Sequence, residues 1–179
     1  MAITLVASVM MDSKNNKYII NNMKGIPQLP TDILWSRAYF HNKRLIMDYY
    51  TFSDWKLDAK NIIVYTPKQI DYVKDDKSIS FCNYINWEAL SSMEEEFVVC
   101  GGKGLFDAAI PYANKIRLTV LNVYGKTSDP SNVYFPTIHD YGRWRVQNKA
   151  SAECTPQYKS LLQQDLTLHS MSLLEFTKI

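Results

Sequence analysis

The stretch EFVVCGGKGLFDAAIP (residues 96–111) decides how the rest of the chain is interpreted. It begins as a short apolar strand, reaches Gly101 and Gly102, and continues at once as a helix predicted over 103–109. Glycines at such a junction permit a tight turn, and the free N–H groups of a helix start favour phosphate. The pattern predicts a strand–turn–helix unit. It leaves a phosphate site and a plain turn equally open, because 101–106 reads GGKGLF and does not complete the dinucleotide fingerprint.

Similar apolar runs recur on both sides of this unit and alternate with helical or loop segments. Strands are predicted at 3–10, 44–50, 61–66, 78–82, 96–102 and 115–123. Helices are predicted at 31–41, around 52–56, at 67–75, at 84–94 and at 103–109. Several strands are continuous in Val, Ile and Leu, as strands covered on both faces are, and the alternation favours a largely parallel sheet.

The pattern changes after Pro136. Two long alternating segments, 143–153 and 166–178, predict an antiparallel strand pair at the edge of the sheet. No repeat or linker interrupts the 179 residues, a length suited to one domain. We therefore expect an α/β fold with a single domain over 1–179, a mostly parallel twisted sheet, an antiparallel C-terminal strand pair and helices on both faces.

Composition and charge restrict the class of protein. Hydrophobic residues make up 46% of the chain and charged residues 21%, which is typical of a globular domain. The formal net charge is +2 with Lys and Arg scattered, so no nucleic-acid partner is expected. The N-terminal MAITLVASVMM has no leading basic residues and is too short to span a membrane, so it predicts a buried strand and no membrane association.

The cysteines and histidines predict neither a disulfide nor a metal site. Cys82, Cys100 and Cys154 are odd in number and lack CxxC spacing, which fits a reducing, cytoplasmic setting. The three histidines are isolated and lack metal-ligand spacing. Cys100 lies in a predicted strand without a His partner nearby in sequence, so we expect a buried thiol and not a nucleophile.

One carboxylate stands out at a helix start. Asp32, in QLPTDILWSR (28–37), is followed by three large apolar residues. An acidic residue in a first turn also suits the helix dipole, so a solvated side chain is the alternative. In open α/β sheets, however, ligands bind at the carboxyl ends of the strands, where the Gly101–Gly102 turn and a polar loop over 12–25 are also expected. The functional interpretation is a pocket with Asp32 as its acid.

Taken in order, five pieces of the chain resemble the dihydrofolate reductase family over nearly its whole length. The pieces are TLVASVMMD (4–12), GIPQLPTDILWSR (25–37), RLIMDYYTF (44–52), FVVCGGKGLF (97–106), and IPYANKIRLTVL (110–121) followed by VYFP (133–136). They resemble the family's first strand, its loop and acidic helix, its I-M-G-R-x-T strand and turn, its cofactor turn, and its late strand with the following loop. The resemblance implies the family's fold and a nicotinamide-dependent reduction of dihydrofolate.

The resemblance also implies residue roles. Asp32 would hold the 2-amino group and a ring nitrogen of the pterin and promote protonation at N5, and Thr119 would support its carboxylate. The substrate would be bound by Val6, Ala7, Asp32, Ile33, Ser36, Arg37, Cys100, Phe106 and Thr119. The cofactor, NADPH with NADH as an alternative, would be bound by Ala7, Ser8, Tyr49, Tyr50, Thr51, Tyr65, Thr66, Cys100, Gly101, Gly102, Lys103, Gly104 and Leu105. A cis peptide between Gly101 and Gly102 is implied as well.

The chain departs from the family pattern around the expected ligands. The tryptophan that usually precedes Leu-Pro is missing from 27–30, which reads PQLP. Asp48-Tyr49 replaces the family's Gly-Arg, which removes the guanidinium for the 2′-phosphate of NADPH. Ala59 replaces the arginine that holds the glutamate tail of folate, and Ser36 stands where an aromatic ring commonly covers the benzoyl group. The loss of the guanidinium at Tyr49 predicts a weak preference for NADPH over NADH.

Three functions are therefore compared. The first is a monomeric dihydrofolate reductase, which transfers a hydride to C6 of dihydrofolate while N5 gains a proton. The second is the related pyrimidine reductase of riboflavin synthesis, which shares the topology but is disfavoured by the LPTD pattern at 29–32. The third is a reductase fold kept as a binding or structural subunit after losing activity, which the missing tryptophan and arginines would explain.

Overall fold

The structure, a computed structural model, describes residues 3–20, 30–54, 61–67, 78–153 and 166–179. In these ranges the strands are β1 (Ile3–Asp12), β2 (Lys17–Ile19), β3 (Arg44–Asp48), β4 (Ile62–Tyr65), β5 (Ile79–Cys82), β6 (Phe97–Val99), β7 (Lys115–Tyr124), β8 (Trp144–Glu153) and β9 (Thr167–Lys178). The helices are α1 (Pro30–Phe40), α2 (Tyr49–Asp54), α3 (Trp87–Ser91) and α4 (Lys103–Ala109), with 3-10 helices at Ile110–Tyr112 and Ile138–Tyr141. Most of the helix expected at 67–75 lies outside the described residues, as do Gln28, Ala59 and Cys154.

The strands of the described ranges form one sheet in the order β5-β4-β3-β6-β1-β7-β9-β8, with β2 paired to β1. The six strands from β5 to β7 in this order are mutually parallel. β9 is antiparallel to both β7 and β8, which places the C-terminal pair at one edge. The predicted sheet, parallel at its centre with an antiparallel C-terminal pair, is confirmed.

Helices cover both faces of the sheet. Neighbouring residues of a strand point to opposite faces, so the contacts of two adjacent residues show what packs on each face. On β3, Ile46 packs in the cluster that contains Leu105 and Phe106 of α4. Met47, the next residue, packs on the opposite face in the cluster that contains Phe40 of α1. The prediction of helices on both faces is therefore confirmed. None of the helices in the described ranges combines the length and apolarity needed to cross a membrane.

The strand expected over 96–102 is shorter in the structure, where it is Phe97–Val99. Three further predicted boundaries are wrong, each for a local reason. The strand expected over 44–50 ends at Asp48, whose carboxylate accepts a hydrogen bond from the Thr51 backbone N–H (2.8 Å) and so begins α2 at Tyr49. The helix expected over 84–94 is only α3, which begins after Asn86 because that side chain accepts a bond from the Ala89 N–H (3.0 Å).

The third wrong boundary concerns the polar loop expected over 12–25. Part of it is the short strand β2, which pairs with β1 and buries Ile19 completely. The Asp12 carboxylate accepts bonds from the Lys14 N–H (3.1 Å) and the Tyr134 hydroxyl (2.6 Å), which ties the hairpin to the segment after β7. The polar residues of this stretch therefore belong partly to a hairpin, whose turn is stabilised by hydrogen bonds to the Asp12 side chain.

Candidate active site

Asp32 lies in the first turn of α1 and points at the sheet. Its carboxyl group is buried, with 5% of the residue exposed. The Ser8 hydroxyl of β1 donates to both carboxyl oxygens, at 3.1 and 3.0 Å, and the Thr119 hydroxyl of β7 is a second donor. Ser8 and Thr119 are direct partners in the parallel β1–β7 register, so two neighbouring strands present adjacent hydroxyls to one carboxyl group. The alternative of a solvated Asp32 is wrong.

Burial sets the protonation behaviour of this carboxyl group. Desolvation raises the pKa of Asp32 above its ordinary value of 3.8, while the hydrogen bonds from Thr119 and Ser8 partly oppose the shift. None of the ion pairs in the described ranges includes Asp32. A buried acid with a raised pKa that is held by hydroxyls alone is a candidate proton donor or acceptor.

The glycine turn lies at the carboxyl end of β6, as the sequence predicts. The Gly101–Gly102 peptide is cis, which confirms the bond that the family resemblance implies, and Gly101 has φ +125°. Only glycine adopts that φ readily. The Gly101 carbonyl accepts a bond from the Asp48 N–H (2.8 Å), so the ends of β3 and β6 are joined at this turn.

A cavity of about 320 Å³ opens beside the turn. Its lining includes the expected residues Tyr65, Gly104 and Leu105, and Gly104 has no heavy atom within 4 Å of the place where a Cβ would stand. The lining also includes residues that sequence reasoning did not assign to a site: Asp48, Asn83, Tyr84, Ile85, Trp87 and Ala108. A volume of this size, with mixed aromatic and polar walls, is at the lower end of those that hold small ligands.

A second, open groove of about 730 Å³ runs along the outer face of α1. Two of the expected substrate residues, Ile33 and Arg37, line it together with Leu34, Ala38 and His41. Ile33 and Arg37 are four residues apart and therefore share one helix face. The groove is lined by apolar side chains and by the guanidinium of Arg37.

The remaining expected residues lie on the strands and helices that form the surroundings of Asp32, the glycine turn and the cavity. Val6 and Ala7 are half-buried on β1, and Ala7 lies two residues beyond Leu5, the partner of Val99, so it is level with Gly101. The Thr51 Oγ1 lies 3.4 Å from the position that a Cβ on Gly101 would take. Thr66 is buried at the end of β4, and Ser36 is half-buried on α1.

Several expected residues have structural partners of their own. The rings of Phe106 and Phe135 lie 5.0 Å apart in the core, and Tyr50 is 80% exposed with its ring against Tyr49. The Lys103 ammonium group donates a hydrogen bond to the Asp107 carboxylate (3.0 Å).

Cys100 is buried, as expected for an inert thiol, and burial raises its pKa. A thiol with a raised pKa is a poor nucleophile at neutral pH. Cys82 and Cys100 are both free thiols. Within the described ranges, no three His, Cys, Asp or Glu side chains come together as metal ligands would.

Comparison with known proteins places the sequence in a family. The family model described as dihydrofolate reductase matches residues 4–164, which include Ser8, Asp32, the glycine turn and Thr119. This chain belongs to the dihydrofolate reductase family. The family predicted from the five ordered pieces is thereby confirmed.

Two curated dihydrofolate reductases are similar to the chain over most of their length. The one from Buchnera aphidicola subsp. Acyrthosiphon pisum (strain APS) is 27% identical over 151 residues, which cover 82% of this chain and 86% of that protein. The one from Buchnera aphidicola subsp. Schizaphis graminum (strain Sg) is 26% identical over 151 residues with the same coverage. The identity is low, as the departures around the expected ligands lead one to expect of a divergent member of the dihydrofolate reductase family.

Sequence reasoning missed the wall formed by residues 83–87 because it assigned them to a helix. A usable signal was present, since β5 ends at Cys82 and the carboxyl ends of parallel strands meet at one edge. Asp48 was noted only as the loss of a family glycine, and its carboxylate was not placed in the cavity. Asp48 lies at the cavity because β3 and β6 end side by side, and local sequence does not encode that pairing.

Proposed function

We propose that the chain reduces 7,8-dihydrofolate to tetrahydrofolate with a reduced nicotinamide dinucleotide, adding a hydride to C6 while N5 takes up a proton. The observation that carries this proposal is the buried carboxyl group of Asp32. It accepts hydrogen bonds from the hydroxyls of Ser8 and Thr119, which lie on two neighbouring parallel strands. Membership of the dihydrofolate reductase family supports the same reaction.

Asp32 has the capacity to orient a pterin. A carboxylate offers about four lone-pair directions, and the two hydroxyls leave some of them free for the 2-amino group and the adjacent ring N–H. Two parallel N–H···O bonds to a buried carboxylate fix a planar ring in one orientation. Burial raises the pKa of Asp32, which favours its protonated form and would promote protonation at N5.

The cofactor would lie along the carboxyl ends of β3, β6 and β4. The cavity beside Gly104 and Tyr65 supports this placement, because an open glycine face lets a nucleotide approach the backbone. When bound, the reduced nicotinamide supplies the hydride. Tyr49 in place of an arginine offers one hydroxyl and no charge, so NADPH would exceed NADH in affinity only weakly. One residue, Asp48, does not fit a diphosphate.

Ile33 and Arg37 of α1 would contact the p-aminobenzoyl-glutamate part of dihydrofolate. The apolar side chain of Ile33 suits the benzoyl ring. The guanidinium of Arg37 suits a carboxylate of the glutamate, since Arg pairs with carboxylates in a bidentate manner. Arg37 would thus take over the task of the arginine that Ala59 replaces.

We further propose that residues 1–179 act as one domain, as a cytoplasmic monomer without a nucleic-acid partner. The continuous sheet, the free thiols of Cys82 and Cys100 and the scattered charge support this setting. Size-exclusion chromatography with light scattering tests the monomer, and a mass of twice 20.7 kDa would contradict it.

The test of the reaction is the loss of absorbance at 340 nm with NADPH or NADH, with and without dihydrofolate. We expect turnover by the wild type only when dihydrofolate is present. Asp32→Asn should lower kcat/KM by about 100-fold to 10,000-fold, the range of general acid–base catalysis. Asp140→Asn removes the same charge from an exposed position in the 3-10 helix Ile138–Tyr141 and should change the rate less than about twofold, as expected for a surface change.

Two results would contradict the proposal. A wild type that oxidises neither cofactor in the presence of dihydrofolate would favour the binding or structural subunit. An Asp32→Asn protein with wild-type kcat/KM would return Asp32 to a purely structural role.

A further inference from the structure

The side chain of Asp48 extends from the end of β3 toward the glycine turn. Its Oδ2 is 2.9 Å from the place that a Cβ on Gly102 would occupy, so the carboxylate fills the space that the glycine leaves open. Its Oδ1 accepts the Thr51 N–H at 2.8 Å. Asp48 also lines the 320 Å³ cavity together with Gly104 and Tyr65. One carboxylate therefore lies against the turn and faces the nucleotide cavity.

The charge of Asp48 has no counter-ion in the part of the chain that the structure describes. None of the ion pairs there includes it. The cation nearest in sequence to the turn, Lys103, is held by the Asp107 carboxylate (3.0 Å) and the Tyr134 carbonyl (3.2 Å). A negative ligand that meets the backbone at Gly102 thus meets an unneutralised carboxylate as well.

The structural explanation of Asp48 is that it caps α2, and the bond to the Thr51 N–H supports that role. Asparagine caps a helix as well as aspartate does. Capping therefore accounts for the side-chain oxygen but does not require the charge. The two roles can be separated by one substitution, because Asp48→Asn keeps the oxygen and removes the charge.

We infer that Asp48 determines how tightly this chain binds its dinucleotide cofactor, by placing a carboxylate where the diphosphate must approach the glycine turn. The inference rests on the proposed function for the position of the cofactor. Like charges a few ångströms apart near a protein surface repel strongly enough to change binding more than about tenfold. The chain therefore binds diphosphate-containing ligands weakly. Added salt lowers the electrostatic cost of binding because it screens the repulsion between the carboxylate and the diphosphate.

The experiment measures the dissociation constants of NADPH, ADP and adenosine for the wild type, Asp48→Asn and Asp140→Asn. Adenosine shares the nucleoside but lacks the diphosphate. We expect Asp48→Asn to bind NADPH and ADP at least about tenfold more tightly than the wild type does and adenosine about equally. The ratio should shrink between about 0.05 and 0.5 M salt. Asp140→Asn should match the wild type throughout, and the unfolding midpoint of Asp48→Asn should stay near that of the wild type.

The outcomes separate this inference from the proposed function. If the wild type reduces dihydrofolate but Asp48→Asn binds NADPH and ADP no more tightly, the inference on Asp48 is overturned and the reaction stands. Equal gains for adenosine and ADP would also overturn it, because the effect would then be one of packing. If ADP binding tightens while neither protein reduces dihydrofolate, the inference on Asp48 holds and the proposed reaction fails.

Discussion

Two acids that α1 connects, Asp32 and Glu96, have opposite surroundings. Asp32 is in the first turn of the helix, and Tyr39, seven residues later, donates a hydrogen bond to Glu96 at the other end. Asp32 has two hydroxyl donors and no ion pair among the described residues, and burial raises its pKa. Burial also opposes ionisation of Glu96, but hydrogen bonds from Thr4, Tyr39 and Lys43 outweigh it and lower its pKa.

The difference lies in how completely each charge is compensated. Glu96 accepts from the Thr4 hydroxyl (2.6 Å) and pairs with the Lys43 ammonium group (3.1 Å), which also lies over the Tyr39 ring. Such a network stabilises the charged form of Glu96 and joins β1, β6 and α1 at the amino ends of the strands. Asp32 is left under-compensated at the carboxyl ends. An acid that serves the fold is fully paired, and an acid that serves a ligand keeps capacity free.

The largest effect we expect on stability comes from breaking the Glu96 network. Glu96→Gln should lower the free energy of unfolding by about 2–3 kcal/mol, because the Lys43 ammonium group loses its partner and the hydroxyls lose a charged acceptor. Glu95→Gln is the matched control, since Glu95 is exposed and its pair with Arg44 is long at 3.7 Å. That change should cost less than about 0.5 kcal/mol. Urea unfolding at pH 7 measures both, and equal losses would contradict the role of Glu96.

The second prediction is that the two acids affect the pH dependence of stability in opposite senses. Because the folded-state pKa of Glu96 lies below 4.5, its contribution is present above pH 4.5 and disappears as the pH falls through the folded value. The cost of Glu96→Gln should therefore shrink toward acid. Because the folded-state pKa of Asp32 lies above 3.8, its contribution is present below pH 3.8 and is lost as the pH rises through the folded value.

Asp32→Asn should accordingly gain stability relative to the wild type as the pH rises, by about 1.4 kcal/mol per unit of pKa shift. Unfolding curves of the two variants and the wild type between pH 3 and about 7.5 check the signs. Parallel curves for Asp32→Asn and Glu96→Gln would show that the two acids are compensated alike.

The sequence predicted most of the sheet and the role of Asp32, but not the hydrogen-bond partners that set how far its charge is compensated. Continuous Val and Ile runs identified β1, β4 and β7 because buried parallel strands admit few other residues. Asp32 could be found because an acid beside apolar residues is unusual. The partnership of Ser8 with Asp32 could not, since it depends on the β1–β7 register and on where α1 crosses the strands. The network of Thr4, Tyr39 and Glu96 joins residues up to 92 positions apart, and no local pattern encodes it.

The smallest predicted effect concerns the fine adjustment of Asp32. Ser8→Ala removes a hydroxyl that favours the charged form, so the pKa of Asp32 should rise further. The pH profile of kcat/KM should move toward higher pH with little change in the free energy of unfolding. Ser172→Ala removes a hydroxyl from β9 that bonds Asn122 and should leave the profile in place. A Ser8→Ala profile that coincides with the wild type would leave Thr119 as the main modulator.

The most direct test of the comparison is the titration of both carboxyl groups in the folded protein. Carbon-13 NMR with labelled Asp and Glu side chains, assigned through Asp32→Asn and Glu96→Gln, reports each carboxyl group separately. Asp32 should titrate above 3.8 and Glu96 below 4.5. An Asp32 signal that titrates at or below 3.8 would contradict the role of Asp32 as an acid whose charge is under-compensated by its surroundings.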